Sequence, residues 1–409
     1  DGRVFSIFPG SERLRYLIPF GQPEETIEYL RGIAQRNPNA VVVFGDDGEK
    51  FGTWPETYQH VYRNGWLRRF FDALSANADW LRVTTLAESV DQVAPLGKVY
   101  LPDASYREMT EWALPVSQQL AYEDVTHEVE HQPFWPRLKP FMRGGNWRNF
   151  KIKYSEANEM YSRMMMVSRR LQDAAQHGAS GDDFNWAKQC LYRSQCNCAY
   201  WHGAFGGIYL PHLRNAIYNQ LIAAENLLDE SLGKIGPRIE AQIDDFNFDS
   251  LQEVKLANDK LVCLIAPGMG GQIYEFDVRS ICHNLGASMT RRPEAYHRKV
   301  ARGANPENQN CASIHDRIVF KQEGLDQRLQ YDAYSRKSLL DHFYPLDASR
   351  HAVEAGHAPE LGDFLQGIYE AKVRKSPDRI QVLMTRDGLV SGRPIRVSKG
   401  VTATAGSPS

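Results

Sequence analysis

Nothing in these 409 residues is apolar for long enough to span a bilayer, and neither sign of charge dominates, with 48 Lys and Arg against 50 Asp and Glu. The first absence excludes a membrane-spanning helix. The second removes the basic surface that nucleic acid or an anionic membrane would need, so neither is expected as a partner. The six cysteines include no CxxC pair, a pattern that suits reduced cytoplasmic thiols better than a disulfide framework. Cys282 and His283 are immediate neighbours, which is not the spacing of a structural zinc site. A P-loop and a GxSxG elbow are both missing. Gly268-Met269-Gly270-Gly271 has glycines but leads into a strand-like run where a dinucleotide loop needs a helix, so it reads as a turn. There is no internal repeat. The opening DGRVFSIFPGSERLRYLIPF lacks both a Met and a basic leader with an apolar core, and reads as a chain entered partway through a protein.

What is present is the composition of a globular protein, 42% hydrophobic and 24% charged, of a length that predicts two or three domains. Eight Trp and nineteen Tyr are a generous supply of flat faces on which sugar rings stack, although the same rings also fill cores.

The chain changes character twice. In residues 1–115, Pro23 with Glu24 and Glu25 opens a helix that Asn37-Pro38 closes, and Ala40 to Phe44 reads as a buried strand. Tyr58 to Leu74 reads as a second helix, with short strands at Leu81 to Thr84 and Lys98 to Leu101. Strands alternating with helices predict βαβ units, hence an α/β class with a parallel sheet. Residues 116–237 are helical. Met160, Met164, Val167 and Leu171 keep one face, which reads as core, and Leu213, Ile217 and Leu221 keep another behind Pro211. In residues 238–409, Glu253 to Leu256, Leu261 to Ile265 and Ile273 to Val278 are strand-like, as is Ile395 to Val397, and an antiparallel all-β domain is expected.

Three clusters could carry chemistry. Asp46, Asp47 and Glu49 fall in a glycine-flanked turn directly after the strand-like run ending at Phe44, with Trp54 close behind. Active sites form at that end of parallel strands, yet an Asp-Gly turn with solvated charges has the same sequence. Gln195 to Gly203, running into Phe205-Gly206-Gly207, crowds Asn197, Trp201 and His202 among glycines. That mixture suits a polyhydroxylated ligand; a helix-to-loop junction with a buried Trp and a bonded His is the plainer alternative. His127-Glu128-Val129-Glu130-His131 matches HExxH, but Pro133 and Pro136 cut any helix short and a charged surface turn is the expected form.

Taken in order, LRYLIPF, DDGEKFGTWPETY, SYREMTEWALP, RGGNWRNF, QCNCAYWHGAFGGIYLPHLR, ENLLDESLG, DVRSICHNL, TRRPEAYHRKV and SRKSLLDHF resemble glycoside hydrolase family 57, in its 4-α-glucanotransferase/α-amylase branch. The resemblance covers nearly the whole chain. It implies the C-terminal part of a (β/α)7 barrel in residues 1–115, a helical domain in 116–237 that completes the substrate cleft, and a β-sandwich, cut short, in 238–409. It further implies Asp47 as the acid/base carboxylate and Trp54, Trp201, His202, Asn197 and Glu49 at sugar subsites, with Asp46 and Glu49 orienting Asp47. Retaining transfer on α-1,4-glucans, without metal or organic cofactor, is the implied activity. Hydrolysis and a non-catalytic carbohydrate-binding module remain as alternatives. Cys198 stands where the family usually has Asp, and the family's nucleophile motif does not occur here, so this chain alone is expected to be inactive. Oligomeric state is not legible.

Overall fold

A computed structural model describes residues 4–101, 107–202, 206–302 and 324–408. It separates into two compact units, residues 1–102 and 103–409.

The first unit carries α1 (Glu12–Leu17), α2 (Pro23–Arg36), α3 (Trp66–Ala76) and α4 (Leu86–Gln92). Pro23 starts α2 because its missing N–H falls where helices have an unpaired one anyway, and the Gln22 N–H donates to Glu25 Oε1 at 2.9 Å. Leu14, Ile18 and the fully buried Trp66 form the small core. The helix expected over Tyr58 to Leu74 is broken. A π-turn at Gln59–Arg63 gives way to Gly65 in the left-handed region (φ 71°), and α3 starts afresh at Trp66. The short strands expected at residues 40–44, 81–84 and 98–101 do not form. Val43 keeps one parallel bridge to Gly10, with the Ser11 N–H donating to Val43 O at 2.8 Å. The other two segments have no ladder among the described residues, and Val83, Val99 and Leu101 are exposed. A strand exists only through its neighbours' hydrogen bonds, so apolar character by itself does not make one.

The second unit stacks helices on a sheet and that sheet on another. Its helical layer contains α5 (Arg107–Trp112), α6 (Val116–Val129), α7 (Trp135–Leu138), α8 (Trp147–Lys153), α9 (Ser155–Gln176), α10 (Asp182–Ser194) and α11 (Pro211–Ser231), and two short helices, His297–Arg302 and Arg350–Ala355, lie outside it. Phe150, Tyr154, Met160, Val167, Ile217 and Leu221 fill the space between them. Five antiparallel strands follow in sequential order: β1 (Ile239–Asp244), β2 (Glu253–Asn258), β3 (Leu261–Ala266), β4 (Gln272–Val278) and β5 (His283–Asn284). The Gly268–Gly271 stretch is the turn between β3 and β4. A second sheet contains β6 (Glu370–Lys375), β7 (Arg379–Val390) and β8 (Arg393–Thr404). Val254, Leu256, Cys263 and Ile265 of the first sheet pack against Ile380, Val382 and Met384 of the second, which makes the pair a sandwich.

The other face of the first sheet meets α9 and α11 through charge. Lys255 donates to Glu225 Oε1 at 2.7 Å, and Arg163 bridges Glu225 (2.6 Å), Glu275 (2.5 Å) and Asp277 (3.3 Å). All five side chains are buried. β2 is therefore covered on both faces, with every residue buried.

Candidate functional site

In the first unit the acidic turn sorts its carboxylates by burial. Asp46 is the buried one. It accepts from Arg15 Nε at 3.1 Å, from Lys50 Nζ at 2.5 Å and from the Asp47 N–H at 2.8 Å. Lys50 is held in turn by the Arg15 carbonyl at 2.9 Å. Asp47 caps the short 3₁₀ turn Gly48–Phe51, and its side chain is 55% exposed, with Arg15 4.0 Å away. One acid thus fixes the backbone while its neighbour's carboxyl is offered to solvent. Glu49 is exposed, and its carbonyl accepts the N–H groups of Thr53 and Trp54, which closes the turn. Trp54 stacks on Phe20 at 6.3 Å, and the Lys50 ammonium lies 5.5 Å from its ring centre.

In the second unit a cleft of about 270 Å³ opens beside α8, α9 and the turn after α10. Its walls are aromatic: Trp147, Tyr161, Tyr200 and Trp201. Met109 and Met164 add apolar surface, so the Met stripe read as core is divided, with Met160 buried and Met164 at the cleft. Gln195 and Asn197 supply amides. Each ring is braced. Trp147 stacks on Phe150 at 5.5 Å, Trp201 lies 5.1 Å from Trp112, and the Tyr200 hydroxyl donates to Ser194 O at 2.8 Å. Flat faces flanked by a few amides can hold a polyol, because C–H faces of sugars stack on rings while hydroxyls need donors and acceptors.

The Trp201–His202 segment is clamped from behind. Ile208 N–H donates to Trp201 O at 2.7 Å, and a Cβ on Gly207 (φ 48°) would lie 2.1 Å from that same oxygen. Gly203 and Phe205 lie outside the described residues, as do Ser105 and Tyr106. His202 does not line the cleft. It is buried beneath it, packed on Trp112 at 5.3 Å and Phe150 at 5.5 Å, and bonded through Nε2 to the Tyr154 hydroxyl at 2.7 Å. Burial, aided by the Lys153 charge, pushes its pKa down to about 3. The Tyr154 hydroxyl also reaches both Glu294 oxygens, at 2.7 and 2.8 Å, and Tyr209 donates to the same carboxylate. Burial and Glu294 push both phenols up, so they remain protonated donors. Lys153 stands 3.7 Å from Glu294.

Asn197 and Trp201 therefore share one cleft, with His202 supporting it, while Asp47, Glu49 and Trp54 share the turn of the first unit. The residues that sequence reasoning did not single out are Tyr154, Glu294, Trp112, Trp147 and Tyr161. Trp112, Trp147 and Glu294 sit in SYREMTEWALP, RGGNWRNF and TRRPEAYHRKV, segments that carry the family likeness.

His127 lies in the last turn of α6 rather than in a surface turn, and Glu130 caps that helix. The local sequence sustains helix up to Val129, and the prolines act only beyond it. Ligand atoms of His127, Glu130 and His131 come within 4.8 Å of one another. Both imidazoles are exposed, at 79% and 75%, and the His127 ring is held by Glu130 at 3.0 Å and by the edge of the His131 ring at 5.8 Å, contacts at the surface and not in a packed core.

Comparison with known proteins gives three domain matches in chain order. Residues 1–102 match glycosyl hydrolase family 57, residues 145–228 the middle domain of α-amylase/4-α-glucanotransferase, and residues 245–408 the C-terminal domain of the same enzymes. A 4-α-glucanotransferase of Thermococcus kodakarensis is 37% identical over 405 residues, 98% of this chain and 58% of the relative. An α-amylase of Pyrococcus abyssi is 38% identical over 403 residues, with the same shares. The crystal structure of the 4-α-glucanotransferase from Thermococcus litoralis superposes with a TM-score of 0.76 at 36% identity, covering 98% of this chain and 56% of that one. The chain thus spans less than three-fifths of the length of these relatives.

Proposed function

This chain belongs to family 57 of the glycoside hydrolases, and we propose that it serves α-1,4-glucan disproportionation, as part of a 4-α-glucanotransferase working by retaining double displacement. The observation that carries this reading is the aromatic cleft, whose braced Trp147 and Trp201 rings and neighbouring amides match what a glucan chain offers. The first unit belongs to the (β/α)7 barrel, supported by the parallel bridge between Gly10 and Val43.

Asp47 is the acid/base. It protonates the leaving glycosidic oxygen, then removes the proton from the incoming glucan hydroxyl that resolves the glycosyl-enzyme. Asp46 holds it in place through the N–H of Asp47 and the Arg15 and Lys50 pairs. The nucleophile, a second carboxylate ~5–5.5 Å from Asp47, is assigned to the family motif that these residues do not contain. Trp54 and Glu49 border the acid, and Trp201 and Asn197 hold sugar rings in the cleft. The cysteines among the described residues stand as thiols and not as disulfides, which suits a cytoplasmic enzyme.

The test is product analysis after the complete enzyme is incubated with maltotriose. Longer oligosaccharides together with glucose are expected; a steady rise in reducing ends without longer products would replace transfer by hydrolysis. Asp47→Asn should lower turnover of natural glucans by at least roughly a hundredfold. The loss should be smaller for a substrate with an activated leaving group, which needs little protonation. Equal losses on both substrates, or a larger loss from Asp46→Asn, would contradict the assignment.

A further inference from the structure

The buried carboxylate of Glu294 sits among groups that touch the cleft only indirectly. It accepts from the Tyr154 hydroxyl through both oxygens and from Tyr209, and faces Lys153 at 3.7 Å. At 4% exposure it has no access to a ligand itself. The Tyr154 hydroxyl has a single proton, and the geometry gives it to Glu294. Its oxygen must then accept from His202, 2.7 Å away. A neutral imidazole has one N–H, so that proton resides on Nε2. His202 in turn packs on Trp112, which packs on Trp201 at 5.1 Å, and His202 follows Trp201 directly in the chain.

We propose that Glu294 is a positioning residue for the cleft: through Tyr154 it holds His202 as the Nε2–H tautomer, and His202 holds the Trp201 wall against which a sugar stacks. The proposal rests on reading the cleft as a glucan site. Were Glu294 only a partner for Lys153, the state of the His202 ring would be indifferent to it. The relay instead makes one imidazole proton depend on a carboxylate two hydrogen bonds away. Removing Tyr154's hydroxyl leaves the His202 N–H without its acceptor in a dry site, and a buried donor left unpaired is costly enough to turn the ring or move it.

The experiment uses protein labelled with ¹⁵N-histidine and three variants, Tyr154→Phe, Glu294→Ala and Glu294→Gln. His202 should give the Nε2–H pattern in the unaltered protein, without ligand. Tyr154→Phe and Glu294→Ala should lose that preference and bind maltoheptaose roughly tenfold more weakly, at unchanged circular dichroism. Glu294→Gln keeps an acceptor oxygen and should retain the tautomer and most of the affinity. In a Trp201→Ala background, Tyr154→Phe should weaken binding little further, because both act on the same wall. An Nδ1–H tautomer in the unaltered protein would overturn the relay, as would an unchanged tautomer in folded Tyr154→Phe, the variant that decides if Glu294→Ala does not fold. A changed tautomer with unchanged affinity would overturn the coupling to the cleft. Failure of the unaltered protein to bind maltoheptaose would sink the glucan reading instead, and is recognised separately because the tautomer is read without sugar.

Discussion

Glu225 and Asp277 occupy the same buried charge cluster, and replacing each by its amide should have opposite consequences. Glu225 is 2% exposed and accepts from Arg163 at 2.6 Å and Lys255 at 2.7 Å, with Arg170 at 3.3 Å. Burial works against its charge, but Arg163, Lys255 and Arg170 outweigh burial and hold its pKa well below the usual range. Asp277 is fully buried, 3.3 Å from Arg163, and burial together with the adjacent Glu275 pushes its pKa far up. With both acids ionised, Asp277 Oδ1 and Glu275 Oε2 would each lack a hydrogen-bond partner, and a proton on Asp277 supplies the missing donor. Glu225→Gln strips the cations of a buried counter-charge and should cost about 3–5 kcal/mol near neutral pH. Asp277→Asn replaces a carboxyl whose charge burial and the adjacent Glu275 already disfavour, and should be neutral or stabilising. The signs with pH follow. A depressed pKa gives stability that is present above the unfolded value of 4.5 and lost as pH falls through the folded one, so the penalty of Glu225→Gln should shrink in acid. An elevated pKa imposes a penalty that is absent below the unfolded value of 3.8 and grows above it, so the advantage of Asp277→Asn should vanish in acid too. Urea unfolding followed by circular dichroism, near neutral pH and near pH ~3, below both unfolded values, measures both. A loss below about 1 kcal/mol for Glu225→Gln, or a costlier Asp277→Asn, would refute this division of charge.

Trp201→Ala should weaken maltoheptaose binding by about 1 kcal/mol, roughly fivefold, with the melting temperature little changed. Tryptophan fluorescence titration reads the first and calorimetry the second, and an unfolded variant would make Trp201 a core residue. Gly207→Ala should destabilise the second unit by more than about 1 kcal/mol and abolish binding in the cleft. The new methyl would lie 2.1 Å from Trp201 O and 2.8 Å from His202 Cα; a variant with unchanged affinity would show that this backbone can move aside. Asp46→Asn should lower the stability of the first unit through the lost Arg15 and Lys50 pairs, which limited proteolysis would reveal; equal resistance to cleavage would mean that the turn is held by its backbone alone.

Elements announced by local chemistry were the legible ones. Pro23 and Pro211 start α2 and α11 because a proline at the first turn is compatible with helix and little else nearby is. Val254, Leu256, Cys263 and Ile265 alternate because the inner faces of the sandwich demand it. By contrast β8 runs for twelve residues, yet only Ile395 to Val397 looks like a strand in the sequence. Its outer face is exposed, so the alternation that would reveal it is diluted by polar residues. The segments at residues 81–84 and 98–101 fail in the opposite sense, apolar enough to be strands but with no partner among the described residues.

The candidate site divides along the same line. Asn197, Trp201 and the glycines at 206 and 207 lie close together in sequence, and a cluster of that kind can be seen before any fold is known. Glu294 meets Tyr154 from 140 residues away, and a lone acid between Pro293 and Ala295 gives no local sign of it. The charged face of the first sheet makes the general point. Alternation places Lys255, Glu275 and Asp277 opposite the apolar residues of their strands, and on that basis alone they would face water. They are buried instead, because α9 and α11 bring Arg163 and Glu225 across them. Period two in a sequence therefore identifies which residues share a face, while the medium on that face is decided by whatever packs there. In this chain the polar faces met other charges, and the same long-range pairing that hid them from local reading joins the helical layer to the sheet.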